Sequence, residues 1–454
     1  MALVLLTLGA LLGALALWRR LGDPHPELLR KLLHVGMGLT TLSFPWLFDD
    51  SWPVLVLGAL SVLLLLGMRL FPGLKAGVGQ VVGGVARFSL GEIYFPLAVA
   101  VLWLLYVHGA PDPTSISPVQ KTGSGRRLLL YLIPVLLLTV SDALAALVGV
   151  RYGSHPYVTL EGTKSHEGSV AFFLSAFLCV HLPLLLVGDR GRPETVLIAL
   201  LLALVATMFE AIAWAGLDNL VLPLVAHLLL VLYWRFSVGA LAARLAVTAG
   251  LFGLALLVAR WTALRGSAVL AAVLVGYICW GLGGWRWLTP PLVLFAAYVL
   301  LSSRNASNKD TTHNVHGVLC VASAGLAWLF VSKIGDRPEG FYPFTVAFAA
   351  HAGMIALAQV RFERPAATPA AAFAFAAAFG WFLLLGPYVA IERLTPRAFA
   401  EAAVALPLVA LAVAGFGLLQ PGLSCCPVDT PRWLRQGACA AAASALAVAV
   451  LVVL

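Results

Sequence analysis

Charge is what this 454-residue sequence has least of: 11% of its residues are Asp, Glu, Lys or Arg, against roughly 25% in an average soluble domain. So few ionisable groups do not cover a water-exposed globule of this length, which excludes soluble, disordered and coiled-coil chains. Cysteine is also sparse. The six cysteines, Cys179, Cys279, Cys320, Cys425, Cys426 and Cys439, have no His or Cys at metal-ligand spacing, so neither a disulfide scaffold nor a zinc site is supported. A Walker loop, a nucleophilic serine elbow and a thiol–histidine pair are missing as well, which removes the usual routes to hydrolysis.

What is present is apolar: 61% of the residues are hydrophobic, in segments of about 20 that suit a bilayer. Such segments fall near 1–18, 34–48, 52–70, 92–107, 127–150, 169–187, 194–214, 220–234 and 240–259, and again near 266–282, 287–301, 315–332, 341–360, 368–389, 402–419 and 435–454. The expected fold is an all-α polytopic membrane protein with about sixteen spans, between about 14 and 17. Residues 1–18 carry no basic residue ahead of them and are followed by Arg19 and Arg20, so the N-terminus is expected outside. Arg30, Lys31, Arg69, Lys75 and Arg87 then fall on the cytoplasmic side. The net charge of +9 favours anionic headgroups or phosphate-bearing substrates over nucleic acid.

Two connections are longer than a turn requires. Residues 71–91 are glycine-rich yet partly apolar, either a re-entrant segment or a surface loop, and residues 109–126 read as an exposed turn region. Composition changes near 235, where acidic residues become rare and alanine rises. Two membrane domains are expected, 1–235 and 236–454.

In a lipid environment the informative residues are ionisable ones inside or beside the spans, and four clusters stand out. Arg30, Lys31 and His34 open the second span, with Arg30 and His34 four apart on one helix face. Glu92 follows Gly91 at the start of another span, where a carboxylate also suits a helix N-terminus. Asp142 interrupts an apolar helix, and the loop after it holds Arg151, Glu161, Lys164, Ser165, His166 and Glu167. There Gly162, Lys164, Ser165, Glu167, Gly168 and Ser169 combine an ammonium, hydroxyls and flexible backbone ahead of a helix, a plausible grip for a polyphosphate. Glu210 lies within a span, with Asp218, Asn219 and Pro223 at its end. Eight residues of helix rise about 12 Å, which puts Glu210 and Asp218 on one inward side at different depths.

If Asp142 meets that end, three carboxylates converge, and beside a phosphate grip such an excess implies Mg²⁺. The inventory suits phosphoryl or nucleotidyl transfer. The acceptor is then a lipid hydroxyl or lipid phosphate reached from the bilayer.

The ordered pattern Arg30-Lys31-His34, Gly91-Glu92 with Pro96, Ser141-Asp142 with Gly149 and Gly153, "GTKSHEGS" from Gly162 to Ser169, and Glu210 with Asp218-Asn219 and Pro223 resembles the CTP-using integral-membrane family of dolichol kinase, phytol kinase and phosphatidate cytidylyltransferase. The resemblance covers roughly residues 20–235. Its "EAIAWAGLDNLVLPL" stretch is closer to the lipid-alcohol kinases, which transfer the terminal phosphate of CTP to a polyprenyl, phytyl or related alcohol. The resemblance implies Asp142, Glu210 and Asp218 as metal ligands, and Asp142, Lys164, Glu210 and His34 as catalytic residues, His34 as a base. It also implies Arg30, Lys31, Glu92, Gly162, Lys164, Ser165, Glu167, Gly168, Ser169 and Asn219 around CTP.

A shorter stretch, Leu264 to Arg304, looks like the opening of the phytyl-phosphate kinase family. Downstream, "TVAFAAHAGMIALAQV" has His351 where an acidic metal-binding pattern is expected, so a degenerate second unit is anticipated. The polar group Arg304, Asn305, Asn308, Lys309, Asp310, His313, Asn314 and His316 is the candidate site there, or simply a polar connection. A phosphatidate cytidylyltransferase and a transporter are the competing functions. The transporter would call for paired half-chain repeats, which the sequence does not display. A prokaryotic cytoplasmic membrane is the expected setting, with the active face toward the cytoplasm.

Overall fold

The structure is a computed structural model that describes residues 1–22, 24–70, 90–109, 122–160, 162–258, 264, 266–302, 314–364, 366–420, 422–423 and 429–451. Residues 71–89, most of the 109–126 region, Glu161, Cys425, Cys426 and the polar group from Arg304 to His313 lie outside the described residues. Among those described, helices are joined by one two-stranded hairpin. The chain divides into two compact units, Met1–Ala246 and Val247–Leu454.

The first unit runs α1 (Ala2–Gly22), α2 (Pro26–Leu42), α3 (Phe44–Leu47), α4 (Trp52–Leu70), α5 (Gly91–His108), α6 (Thr122–Leu136), a π-helical segment (Leu137–Ser141), α7 (Asp142–Tyr152), β1 (Pro156–Thr159), β2 (Gly162–Ser165), α8 (His166–Val187), α9 (Arg192–Ile212) and α10 (Asp218–Tyr233); α11 (Val238–Val258) crosses the boundary. The second runs α12 (Ser267–Gly283), α13 (Trp285–Ser302), α14 (Val315–Ile334), α15 (Phe341–Glu363), α16 (Pro369–Ile391), α17 (Pro396–Leu419) and α18 (Thr430–Leu451).

Ten helices among the described residues are long and apolar enough to cross a bilayer, and three shorter apolar ones accompany them. The protein is a polytopic membrane protein, although these helices number fewer than the about sixteen spans expected from runs of bilayer length. Part of the difference is at 34–48. That run is shared between the 17-residue α2, whose first half carries Glu27, Arg30, Lys31 and His34, and the four-residue α3.

Local chemistry sets the helix starts. Ser165 accepts the Gly168 N–H at the head of α8, and Asn314 does the same for Gly317 at the head of α14. Thr368 and Thr395 cap α16 and α17, each followed by a proline at the first helical position, where its missing N–H has no intrahelical partner to lose.

Within the first unit, Phe95, Leu102, Trp103 and Tyr131 bury α5 and α6 against the corner between α2 and α4. Trp103 Nε1 donates to Asp50 O at 3.1 Å and Tyr131 Oη to Thr41 O at 2.8 Å, so both rings are fixed at their polar tips. Within the second unit α15 is central, with 94% of its most apolar window buried. Alanine is concentrated in the first half of α16. There the backbones close in so far that a Cβ on Gly380 would overlap Ala349 O of α15. Small residues permit that approach where lipid gives helices no hydrophobic reason to associate.

Candidate active site

Asp142 owes its position to a defect in its helix. The π-helical segment Leu137–Ser141 ends with the Asp142 N–H bonded to Leu137 O, five residues back. That register leaves the Leu138 carbonyl without its usual helical donor, and the His34 Nε2 atom of α2 takes it at 2.8 Å. A carbonyl only accepts, so Nε2 carries the proton and donates. His34 is thus held as a donor 3.6 Å from Asp142 Oδ2, and a base role would have to use Nδ1. One helical turn earlier, Lys31 donates to the same Asp142 Oδ2 at 2.6 Å. The face of α2 that meets Asp142 is therefore Lys31 and His34. Arg30, expected on one helix face with His34 to meet a phosphate oxygen or a carboxylate, pairs with Glu27 at 2.6 Å while remaining in electrostatic reach of Asp142 and Asp218. The bulge needs a glycine opposite it, because a Cβ on Gly38 would overlap Thr139 Oγ1.

The expected phosphate-grip loop is the β hairpin. β1 and β2 pair antiparallel, with Tyr157 opposite Lys164, and Gly162 at φ +127° opens the second strand. Lys164 Nζ donates to Glu210 Oε1 at 2.7 Å and also to Glu210 O in the last turn of α9. Burial by itself would lower the Lys164 ammonium, but the carboxylates of Glu210 and Asp218 outweigh it and hold its pKa above the ordinary lysine value of 10.5. The ammonium side of the pair is fully charged below that ordinary value and is lost only as pH rises through the raised one.

The other hairpin residues are committed locally. Ser165 Oγ accepts the Gly168 N–H at 3.1 Å and the His166 N–H is given to His155 O at 3.0 Å, so the helix start is largely satisfied from within. Ser169 Oγ lies 2.8 Å from Tyr157 Oη. Glu167, expected among the CTP contacts, bonds Ser154 Oγ and His155 Nδ1, each at 2.6 Å. Gly149 and Gly168 serve packing, since a Cβ on Gly168 would stand 3.0 Å from Ala145 O and 3.3 Å from Gly149 Cα.

Glu210 and Asp218 do not share a helix face as expected. α9 stops at Ile212, and a turn with Ala215 at φ +54° and Gly216 at φ +77° redirects the chain, leaving Asp218 first in α10. A non-glycine residue in the left-handed region costs about 1–3 kcal/mol and recurs at functional sites. Asp218 Oδ1 accepts the Asn219 N–H at 3.0 Å. Leu90 N donates to Ala215 O at 3.0 Å, which ties this turn to the start of α5 and so to the helix turn bearing Glu92.

Asp218 lies in electrostatic reach of Asp142, Lys164, Glu210 and Lys31. Five side chains from α2, α7, β2, α9 and α10 thus form one charged cluster. Two of its carboxylates are matched by lysines, while Asp218 has no cation at ion-pair distance among the described residues. Among those residues no three His, Cys, Asp or Glu side chains stand together as an all-protein metal site. The donors present fit a Mg²⁺ ion that arrives on phosphates, because that ion uses one or two carboxylates and takes its other ligands from substrate and water.

Sequence reading passed over Glu27, Tyr157 and the π-helical segment. The first two sit beside recognised motif residues. The bulge has a faint signal in Pro134, which interrupts the ladder of α6 just before it.

In the second unit His351 is fully buried on α15, and neither ring nitrogen has a hydrogen-bond partner among the described residues. Of the candidate polar group there, Asn314 is a helix cap and His316 lies in the first turn of α14.

No protein-family model matches the chain, and no solved structure matches it. Over 222 residues, 48% of its length, the chain is 28% identical to a phytol kinase of Synechocystis sp., spanning 84% of that protein. The similarity is a weak link to the phytol kinase family.

Proposed function

We infer that the protein transfers the terminal phosphate of CTP to a lipid alcohol, with Mg²⁺, at the end of the first unit where the charged cluster gathers. The observation that carries this reading is the convergence of Lys31, Asp142, Lys164, Glu210 and Asp218 from five elements distant in sequence. Two lysines beside three carboxylates supply what phosphoryl transfer asks of a protein: cations for phosphate oxygens and oxygen ligands for a metal. The similarity to a phytol kinase adds the lipid-alcohol acceptor, of the phytyl, polyprenyl or diacylglycerol kind. Flanking Lys and Arg support a cytoplasmic active face, and the setting we propose is a prokaryotic cytoplasmic membrane.

In this reading Lys164 and Arg30 meet phosphate oxygens, and Asp218 and Glu210 offer carboxylate oxygens to the metal. Lys31 fixes Asp142 through Oδ2, with His34 beside it, which leaves the other oxygen for the reacting groups. When bound, the metal neutralises charge that develops on the transferred phosphoryl group. Ser165, Gly168 and the β hairpin set the height of Lys164 above the helix end, while Glu92 and Asn219 border the cluster.

The test is CTP-dependent phosphorylation of phytol, a polyprenol and diacylglycerol by purified protein. Activity is expected with at least one alcohol and is expected to collapse in Asp142→Ala and Lys164→Ala. Undiminished activity in both variants would defeat the assignment.

A further inference from the structure

The two lysine–carboxylate pairs are not alike. Lys31 is 5% exposed at its side chain and rises from a helix, and its Asp142 partner has His34 Nε2 3.6 Å away. Lys164 is 28% exposed, sits on a hairpin strand and gives Glu210 two hydrogen bonds, one to the carboxylate and one to the main chain. An ammonium has three protons, so Lys164 keeps one that Glu210 does not use. Its four-carbon stem is flexible. Glu210 in turn stands in electrostatic reach of Asp218, and without Lys164 this carboxylate pair would lose the cation bonded to Glu210, since Lys31 and Arg30, which also act on Asp218, are bonded to Asp142 and Glu27.

We propose that Lys164 is an exchangeable latch on Glu210: the phosphates of a nucleoside triphosphate draw Lys164 off, and Glu210 with Asp218 then becomes a divalent-cation site. This rests on the phosphoryl-transfer reading and adds an order to it. Lys164 makes its first phosphate contact with its unused proton and then surrenders its bonds to Glu210, so the ammonium is never left bare. The freed Glu210 and Asp218 repel one another, and a cation delivered with the nucleotide relieves that repulsion. Metal and nucleotide therefore load cooperatively, and the protein alone holds the metal poorly. Lys31 stays on Asp142 throughout.

The experiment uses full-length protein in nanodiscs, with Mn²⁺ followed by electron paramagnetic resonance and radiolabelled β,γ-methylene-CTP followed by retention. Lys164→Met, without nucleotide, is expected to bind Mn²⁺ about tenfold or more tighter than wild type, and Lys164→Met/Glu210→Gln to return to the wild-type level, a coupling within the usual allosteric range. Equal Mn²⁺ affinity in wild type and Lys164→Met overturns the proposal, as does a double variant that binds as tightly as the single one. Wild type supplies an arm that needs no variant: Mn²⁺ is expected to raise retention of the analogue about tenfold. Should Lys164→Met fail to fold, that arm decides alone. Retention that ignores Mn²⁺ overturns the latch and leaves the nucleotide reading standing, whereas no retention under any condition overturns both.

Discussion

Both units bury ionisable side chains among apolar helices, but they settle them differently. In the second unit Glu401 is enclosed by Arg397 at 2.9 Å and by Tyr388 Oη, with Tyr342 Oη on its main-chain oxygen, and Arg286 pairs with Glu392. These contacts join helix ends and leave Glu401 no free oxygen. At the centre of α15 stands His351, where a carboxylate was expected, and it meets nothing polar among the described residues. In the first unit the matching is incomplete. Lys31 and Lys164 answer Asp142 and Glu210, and Asp218 is left over. Charges that are fully paired serve packing, and the surplus carboxylate beside two lysines is where we propose that the ligand binds.

Substitutions test that contrast. The largest effect is expected for Asp142→Ala, a loss of lipid phosphorylation of about 10³-fold, on the scale of removing a group that stabilises transition-state charge. Lys164→Ala is expected to cost about 10²-fold in the same assay, because positioning by other groups survives. Gly38→Ala acts at a distance: displacing Thr139 shifts the bulge and Asp142 with it, and about a tenfold loss is expected, read from kcat at saturating CTP.

In the second unit the sign reverses. His351→Leu removes two buried nitrogens without partners, so thermal unfolding is expected to show stabilisation of about 1–3 kcal/mol with phosphorylation unchanged. A loss of activity there would break the distinction between the units. Least affected is Glu167→Gln, expected to alter activity by less than about twofold, as exposed pairs contribute little.

The helical membrane character was legible because apolar runs of bilayer length need no tertiary context. The charged residues of the first unit were legible for the same reason, each being conspicuous against lipid-compatible neighbours. Their pairing was not. Lys31 and Asp142 lie 111 positions apart, and the contact depends on a π-helical register that opens one carbonyl to His34. The spans 194–214 and 220–234 bracket the turn after Ile212, but Glu210 and Asp218 were still placed on one helix, because Ala215 carries no turn signal, although Gly216 beside it does. The hairpin was read as a loop, since its strands are four residues each and neither is fully buried on any side.

Fate of the label from CTP tests the central claim most directly. With phytol or a polyprenol as acceptor, γ-labelled CTP is expected to place its label in the lipid product, and α-labelled CTP none. Cytidine retained in the lipid, with the α label transferred and phosphatidate as the acceptor, would contradict it.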